Sequence, residues 1–283
     1  MPAPPTMTRA ALDGLKWALA FSLAAIMLLV LQFPVAAQTQ TQTQTPGPPA
    51  QARRSGLEFM GPALQAMQRE DAQNPGMLWV KEGAALWGKS AGKSNQSCAS
   101  CHGEAASSMR GVATRYPQWD AASGKPINLG QRISQCRQQR QQAPALLPEG
   151  EERLSLETFV AHQSRGMPLA PPKDARLDAA TEEGQRRYQQ RIGQLNLSCA
   201  QCHDAQAGKR LAGALIPQAH AAGYPTYRLE WQGIGSLQRR LRTCMTGVRA
   251  EAPPYDAQAL VELELYLAVR GAGMLIETPA VRP

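Results

Sequence analysis

Two stretches of the chain carry the same reactive pattern, Cys98-Ala99-Ser100-Cys101-His102 and Cys199-Ala200-Gln201-Cys202-His203. Two thiols three positions apart, with an imidazole directly after the second, form the attachment signature of a c-type haem. The thiols bond to the porphyrin vinyl groups and the imidazole turns toward the iron. On this reading Cys98, Cys101, Cys199 and Cys202 anchor two covalently bound haem c groups, and His102 and His203 are their proximal ligands. Zinc knuckles and redox dithiols also use C-x-x-C. Neither requires a His directly afterwards, and here one follows twice.

The chain has six cysteines, so Cys136 and Cys244 remain. Four readings compete for the distal face of each iron. Leftover cysteines in an exported protein often form a disulfide, which would join Cys136 to Cys244. Methionine is a common distal ligand, and Met167 and Met274 occupy matching places. His162 and His220 do not match one another, which disfavours symmetric His/His ligation. The fourth reading makes Cys136 and Cys244 the axial ligands. Each has an arginine four residues earlier, Arg132 and Arg240, on the same face of a helix, and a nearby cation favours thiolate over thiol. The cysteines also lie between the haem motif and the last helix, where class I cytochromes c place their axial methionine.

These residues are positioned by an internal duplication. Glu82, Asn95 and Ser97 match Glu183, Asn196 and Ser198 at an offset of 101, as do the haem motifs. The second copy then gains 7 residues, so that Tyr116-Pro117, Arg132 and Cys136 match Tyr224-Pro225, Arg240 and Cys244 at an offset of 108. Glu157 and Met167 match Glu264 and Met274 at 107. Such a long shared order predicts two homologous domains, 55–170 and 171–283, joined by the proline-rich stretch Pro168 to Lys173. Each reads as helical, giving an all-α fold of two tandem class I cytochrome c-like domains. One helix leads into each haem motif (Met77 to Gly88; Thr181 to Leu195, with Thr181 as cap). A short helix carries each lone cysteine, with Leu129, Ile133 and Cys136 spaced like Leu237, Leu241 and Cys244. A final helix follows (Ser155 to Ser164; Ala257 to Val269).

Ahead of the repeats, residues 1–37 read as a cleaved signal peptide. Arg9 and Lys16 precede an apolar run from Trp17 to Leu31, and Val35-Ala36-Ala37 supplies small residues for cleavage. Residues 38–54 are a Thr/Gln/Pro leader too polar to bury a core. Export predicts a periplasmic protein, and with no second apolar run long enough to span a bilayer, none that stays inserted in a membrane. A formal charge of +8 suits an anionic substrate or an acidic partner. No basic patch interleaved with aromatics is present, which argues against nucleic acid.

Two class I-like domains, each with C-x-x-C-H and a later Cys preceded by Arg at i−4, resemble the SoxA family, the dihaem subunits of the SoxAX cytochromes of sulfur oxidation. Retention of Cys98, Cys101, His102 and Cys136 is similar to the dihaem branch of that family. The resemblance implies a catalytic Cys244 carried as a persulfide and Arg240 as the substrate-binding cation. It implies L-cysteine S-thiosulfotransferase activity, in which thiosulfate is coupled oxidatively to a cysteine of a SoxYZ-like carrier. It also implies a SoxX-like monohaem partner and a soluble cytochrome c as electron acceptor. The chief alternative is a non-catalytic dihaem carrier with His/Met ligation through Met167 and Met274. A dihaem peroxidase fits less well, because it needs an open distal site.

Overall fold

Serine and asparagine caps start the helices that matter here, at matching places in the two repeats. The computed structural model describes residues 52–283, which form one compact unit; the signal-peptide reading and most of the leader lie outside the described residues. In chain order the helices are α1 (Pro62–Arg69), α2 (Met77–Gly88), α3 (Cys98–His102), α4 (Ala105–Ser108), α5 (Leu129–Gln139), α6 (Glu151–His162), α7 (Asp178–Gln189), α8 (Cys199–His203), α9 (Leu237–Gly247) and α10 (Gln258–Arg270). The strands are β1 (Gln118–Asp120), β2 (Lys125–Ile127), β3 (Arg210–Leu211), β4 (Ala214–Leu215), β5 (Thr226–Arg228), β6 (Gly233–Gly235) and β7 (Ala280–Arg282). The fold is therefore mostly helical rather than purely α. The strands pair as β1–β2, β3–β4 and β6–β5–β7, with β5 and β7 parallel.

The duplication survives in three dimensions. Antiparallel β1–β2 aligns Gln118 with Ile127, and β5–β6 aligns Thr226 with Gly235, each partner 108 residues on. In each repeat the helix before the haem motif packs against the last helix, α2 on α6 and α7 on α10. Close approach depends on glycine: a Cβ at Gly83 would lie 2.2 Å from the Ser155 carbonyl oxygen, and one at Gly184 2.1 Å from that of Glu262. The core is richest on α10, where Leu260, Val261, Leu263, Leu265 and Leu267 are all nearly inaccessible. Each such side chain contributes about 1.5–3 kcal/mol from burial, so this helix is the main anchor of the second repeat.

Several boundaries differ from the sequence reading. Thr181 lies inside α7, where its hydroxyl donates to the Leu177 carbonyl at 2.9 Å. Asp178 instead puts negative charge at the helix start. The helix stops at Gln189 because the next segment turns back, with a bridge between Ile192 and Leu197. The proline-rich joint is not a free linker: Leu169 is buried, its N–H donates to Met274 and its carbonyl accepts from Gly273. The leader does not run free to residue 54, since the Arg54 N–H donates to Gln218 at 2.8 Å. The segment leading into the first repeat also packs on the second repeat. Gln68 accepts from the Val281 N–H at 3.0 Å, and Asn74 donates to the Pro279 carbonyl at 2.8 Å.

Where the repeats meet, the equivalent residues Glu157 and Glu264 line a cavity with Tyr116, Asn128 and Tyr224. Burial pushes the Glu157 carboxyl up to about 7, against the pull of Arg153. Burial likewise pushes Glu264 up to about 8, although it accepts hydrogen bonds from Asn128 (2.8 Å) and Gln238 (3.3 Å). A carboxyl group raised on folding adds stability that is fully present below its unfolded pKa and is lost as pH rises through the folded value. Glu264→Gln is therefore expected to flatten the fall in melting temperature between about pH 5 and 8 and to raise stability at pH 8 by on the order of 1–2 kcal/mol. Glutamine still accepts from both amides. Thermal melts at the two pH values decide it; a variant less stable than wild type at pH 8 would show that the ionised carboxylate is needed.

Candidate haem cleft and active site

The haem motifs are helical because serine caps them. Ser97 Oγ accepts from the Ser100 N–H at 3.0 Å, and Ser198 Oγ from that of Gln201 at 3.2 Å. A helix brings the two cysteines, at i and i+3, to one face. In the second repeat Cys199 then packs into the cluster of Tyr188, Leu263, Leu267, Leu237 and Leu241. A cleft opens beside it, lined by His203, His220, Tyr224, Arg228, Arg240 and Cys244 together with leucine, alanine and proline side chains.

His203 is oriented by its surroundings. Its Nδ1 lies 2.7 Å from the Pro217 carbonyl oxygen. Donation to that oxygen fixes the tautomer and leaves the Nε2 lone pair available to a ligand site. Burial lowers its pKa, and the nearby Arg240 charge adds to the effect, which keeps the imidazole neutral. The carbonyl follows the β3–β4 hairpin, in the stretch between His203 and Tyr224 where the second copy is seven residues longer. Inspection of the sequence missed this role, although the length difference between the copies marks the place.

Cys244 and Arg240 lie on α9, four residues apart, and face the same cleft as His203. No carboxylate pairs with Arg240 among the described residues. The other arginines of this helix are engaged elsewhere: Arg239 stacks over Trp231 at 4.1 Å and Arg242 over Tyr255 at 4.4 Å. Of the three arginines, Arg240 alone is left open to the cleft.

The first repeat holds the same residue types differently. Cys98, Cys101 and Cys136 are near enough to influence one another's ionisation. Burial raises the Cys136 pKa and outweighs the pull of Arg132 and Arg140, so in the bare polypeptide the i−4 arginine does not by itself make a thiolate. His102 is exposed, with its ring 5.7 Å from Trp87. Arg132 is closed off by Asp120, at 2.9 Å, and by Gln135.

The competing ligand sets separate in space. No disulfide joins any of the six cysteines; Cys136 sits by the first motif and Cys244 in the second cleft. Met274 packs with Leu169, Ala222 and Ile276, and the Met167 methyl lies near Gly111. Both methionines flank the backbone pairing between Pro168 and Leu275, and neither lines the cleft of His203.

The model of the SoxA/TsdA cytochrome c domain matches this chain twice, over residues 82–169 and 183–276. The chain belongs to that family. Each match spans one haem motif and its later cysteine, and covalently bound haem c is the cofactor of this domain. The cleft suits it, with apolar walls, an oriented imidazole and a thiol from a second helix. The L-cysteine S-thiosulfotransferase subunit SoxA of Pseudaminobacter salicylatoxidans is 38% identical over 237 residues, 83% of each chain. The subunit of the same name from Paracoccus pantotrophus is 32% identical over 81% of this chain and 78% of its own. The crystal structure of SoxXA from P. pantotrophus superposes with a TM-score of 0.79 at 31% identity, covering 82% of this chain and 87% of that one. No helix among the described residues is long and apolar enough to cross a membrane.

Proposed function

We propose that this chain is the catalytic cytochrome subunit of a periplasmic L-cysteine S-thiosulfotransferase and carries two haem c groups. One observation carries the reading: Arg240 and Cys244, on one face of α9, open into the cleft that holds His203. His102 and His203 are the proximal ligands, Cys136 and Cys244 the distal ones, and Cys98, Cys101, Cys199 and Cys202 the covalent anchors. Residues 55–170 and 171–283 are the two haem domains, and the second holds the active site.

The overall reaction joins thiosulfate to the thiol of a SoxYZ-like carrier. One S–S bond forms, the thiol loses its proton, and two electrons leave. When bound, haem c supplies an electron-accepting centre beside the reacting sulfur. The polypeptide supplies the rest. Arg240 binds the sulfonate oxygens of thiosulfate and offsets repulsion between the dianion and a sulfur anion. Cys244, carried as a persulfide, presents the sulfur at which exchange proceeds in line. Electrons pass to a SoxX-like partner and then to a soluble cytochrome c.

Mass spectrometry of exported protein tests the persulfide: peptides containing Cys244 are expected to carry one additional sulfur, removed by reductant. Arg240→Ala is expected to raise KM for thiosulfate by about 10–100-fold, the loss of one charge-assisted contact, with haem content unchanged. Unmodified Cys244 together with no thiosulfate coupling by the wild-type holoprotein would return the chain to the carrier class.

A further inference from the structure

The repeats differ most sharply in what faces the arginine of the lone-cysteine helix. In the first repeat that arginine is Arg132. Its Nη2 donates to Asp120 at 2.9 Å, its Nη1 bonds Gln135, and Tyr116 also contacts it. Burial opposes its charge, yet the bonds to Tyr116 and Asp120 raise its pKa on balance. The Asp120 side chain is only 4% exposed, so the pair is a closed ion pair.

At the offset of 108 these partners change. Tyr116 becomes Tyr224, Gln135 becomes Thr243 and Asp120 becomes Arg228. The matching β1–β2 and β5–β6 registers place Asp120 and Arg228 at the same strand position. Thr243 donates to the Arg239 carbonyl of its own helix and so offers Arg240 no acceptor bond of the Gln135 kind. A carboxylate facing the helix arginine has thus been exchanged for a second guanidinium.

We propose that Arg228 is a second anion-binding residue of the active cleft, and that the exchange of Asp for Arg at this repeat position decides which of the two equivalent sites admits a sulfur oxyanion. This rests on the function proposed above and deepens it. Arg228 and Arg240 both line the cleft. Arg228 uses its Nε on Glu230 at 2.9 Å and lies 5.1 Å from the Trp231 ring, which holds the guanidinium while its terminal nitrogens stay available to an anion. Its side chain is 11% exposed. Burial and the proximity of Arg240 both lower its pKa, as expected for two like charges held close in a partly desolvated pocket. An oxyanion with several oxygens relieves that repulsion by accepting from both guanidinium groups. Where Asp120 occupies the position, the oxyanion would meet a carboxylate and an arginine already neutralised.

The test is equilibrium binding of thiosulfate to the oxidised holoprotein complex without carrier, followed by calorimetry, alongside steady-state kinetics with carrier. Arg228→Gln is expected to weaken thiosulfate binding by about tenfold or more and to raise KM in proportion, with kcat little changed. Arg228→Asp, which rebuilds the pairing of the first repeat by neutralising Arg240, is expected to weaken binding by at least about 100-fold. Arg228→Lys should retain most of the affinity and also controls for folding. Unchanged binding in Arg228→Gln overturns the proposal. So does a shift in haem reduction potential with unchanged binding, which would make Arg228 the partner of a haem propionate. If the wild-type complex neither binds nor turns over thiosulfate, the proposed function itself fails; if wild type does both and the Arg228 variants match it, this inference alone fails.

Discussion

Cys244→Ala is expected to abolish thiosulfate coupling, with turnover falling by at least about 10³-fold, while both haems stay covalently attached. The reasoning is spatial. The anchoring thiols and His203 belong to α8, capped by Ser198, and that helix packs through Cys199 on its own apolar cluster. Cys244 comes from α9, whose start is capped separately by Ser236. Removing its sulfur therefore deletes the atom that the proposed function makes both reacting sulfur and thiolate donor, without disturbing attachment. Haem content by denatured absorption should remain that of wild type, while the spectrum of the native protein should lose its thiolate component. Cys136→Ala should alter the spectrum of the first haem and cost little turnover, because Arg132 beside it is already paired with Asp120. Wild-type turnover in Cys244→Ala would remove the active site from this cleft.

The contrast between the two cysteines shows what the sequence could and could not tell. Motif spacing and the i−4 arginines are local, and the helices carrying them form where periodicity and caps require; α2 spans Met77–Gly88 as expected. Thr181 misled because a Thr followed by acids fits a cap, while a 3-10 turn at Ala175–Leu177 and Asp178 start the helix a turn earlier. Other features depend on partners far away in the chain. The hold of Gln68 on Val281 spans 213 residues, and no local pattern announces it. The apparent linker at Pro168 is rich in proline, yet its backbone groups find partners near Met274. The state of each arginine was hidden for a related reason: Arg132 and Arg240 sit at the same spacing from a leucine and a cysteine on their helices, and a residue on a neighbouring strand separates a closed ion pair from an open cation.

Gly184→Ala should produce a large stability loss in the second repeat. In an isolated helix, alanine is favoured over glycine by about 1 kcal/mol, so intrinsic propensity predicts the opposite sign. Packing decides against it. The new Cβ would lie 2.1 Å from the Glu262 carbonyl oxygen, 2.7 Å from its carbon and 2.8 Å from Tyr266 Cβ. Two of these atoms are backbone of α10 and cannot rotate aside, so α7 and α10 must separate. That separation loosens the contacts of Tyr188 with Leu263 and Leu267, the apolar cluster against which Cys199 rests. A net loss of about 2–4 kcal/mol is expected, which for a chain of this size lowers the melting temperature by roughly 4–16 °C. Gly83→Ala, with its Cβ 2.2 Å from the Ser155 oxygen, should behave alike in the first repeat. Gly88→Ala is the control: it ends α2 with nothing within 4 Å of its Cβ, and propensity alone should make it neutral or slightly stabilising. Equal melting temperatures for Gly184→Ala and Gly88→Ala would mean that the two helices can part without cost, and the tight crossing would then be no determinant of the fold around the second haem.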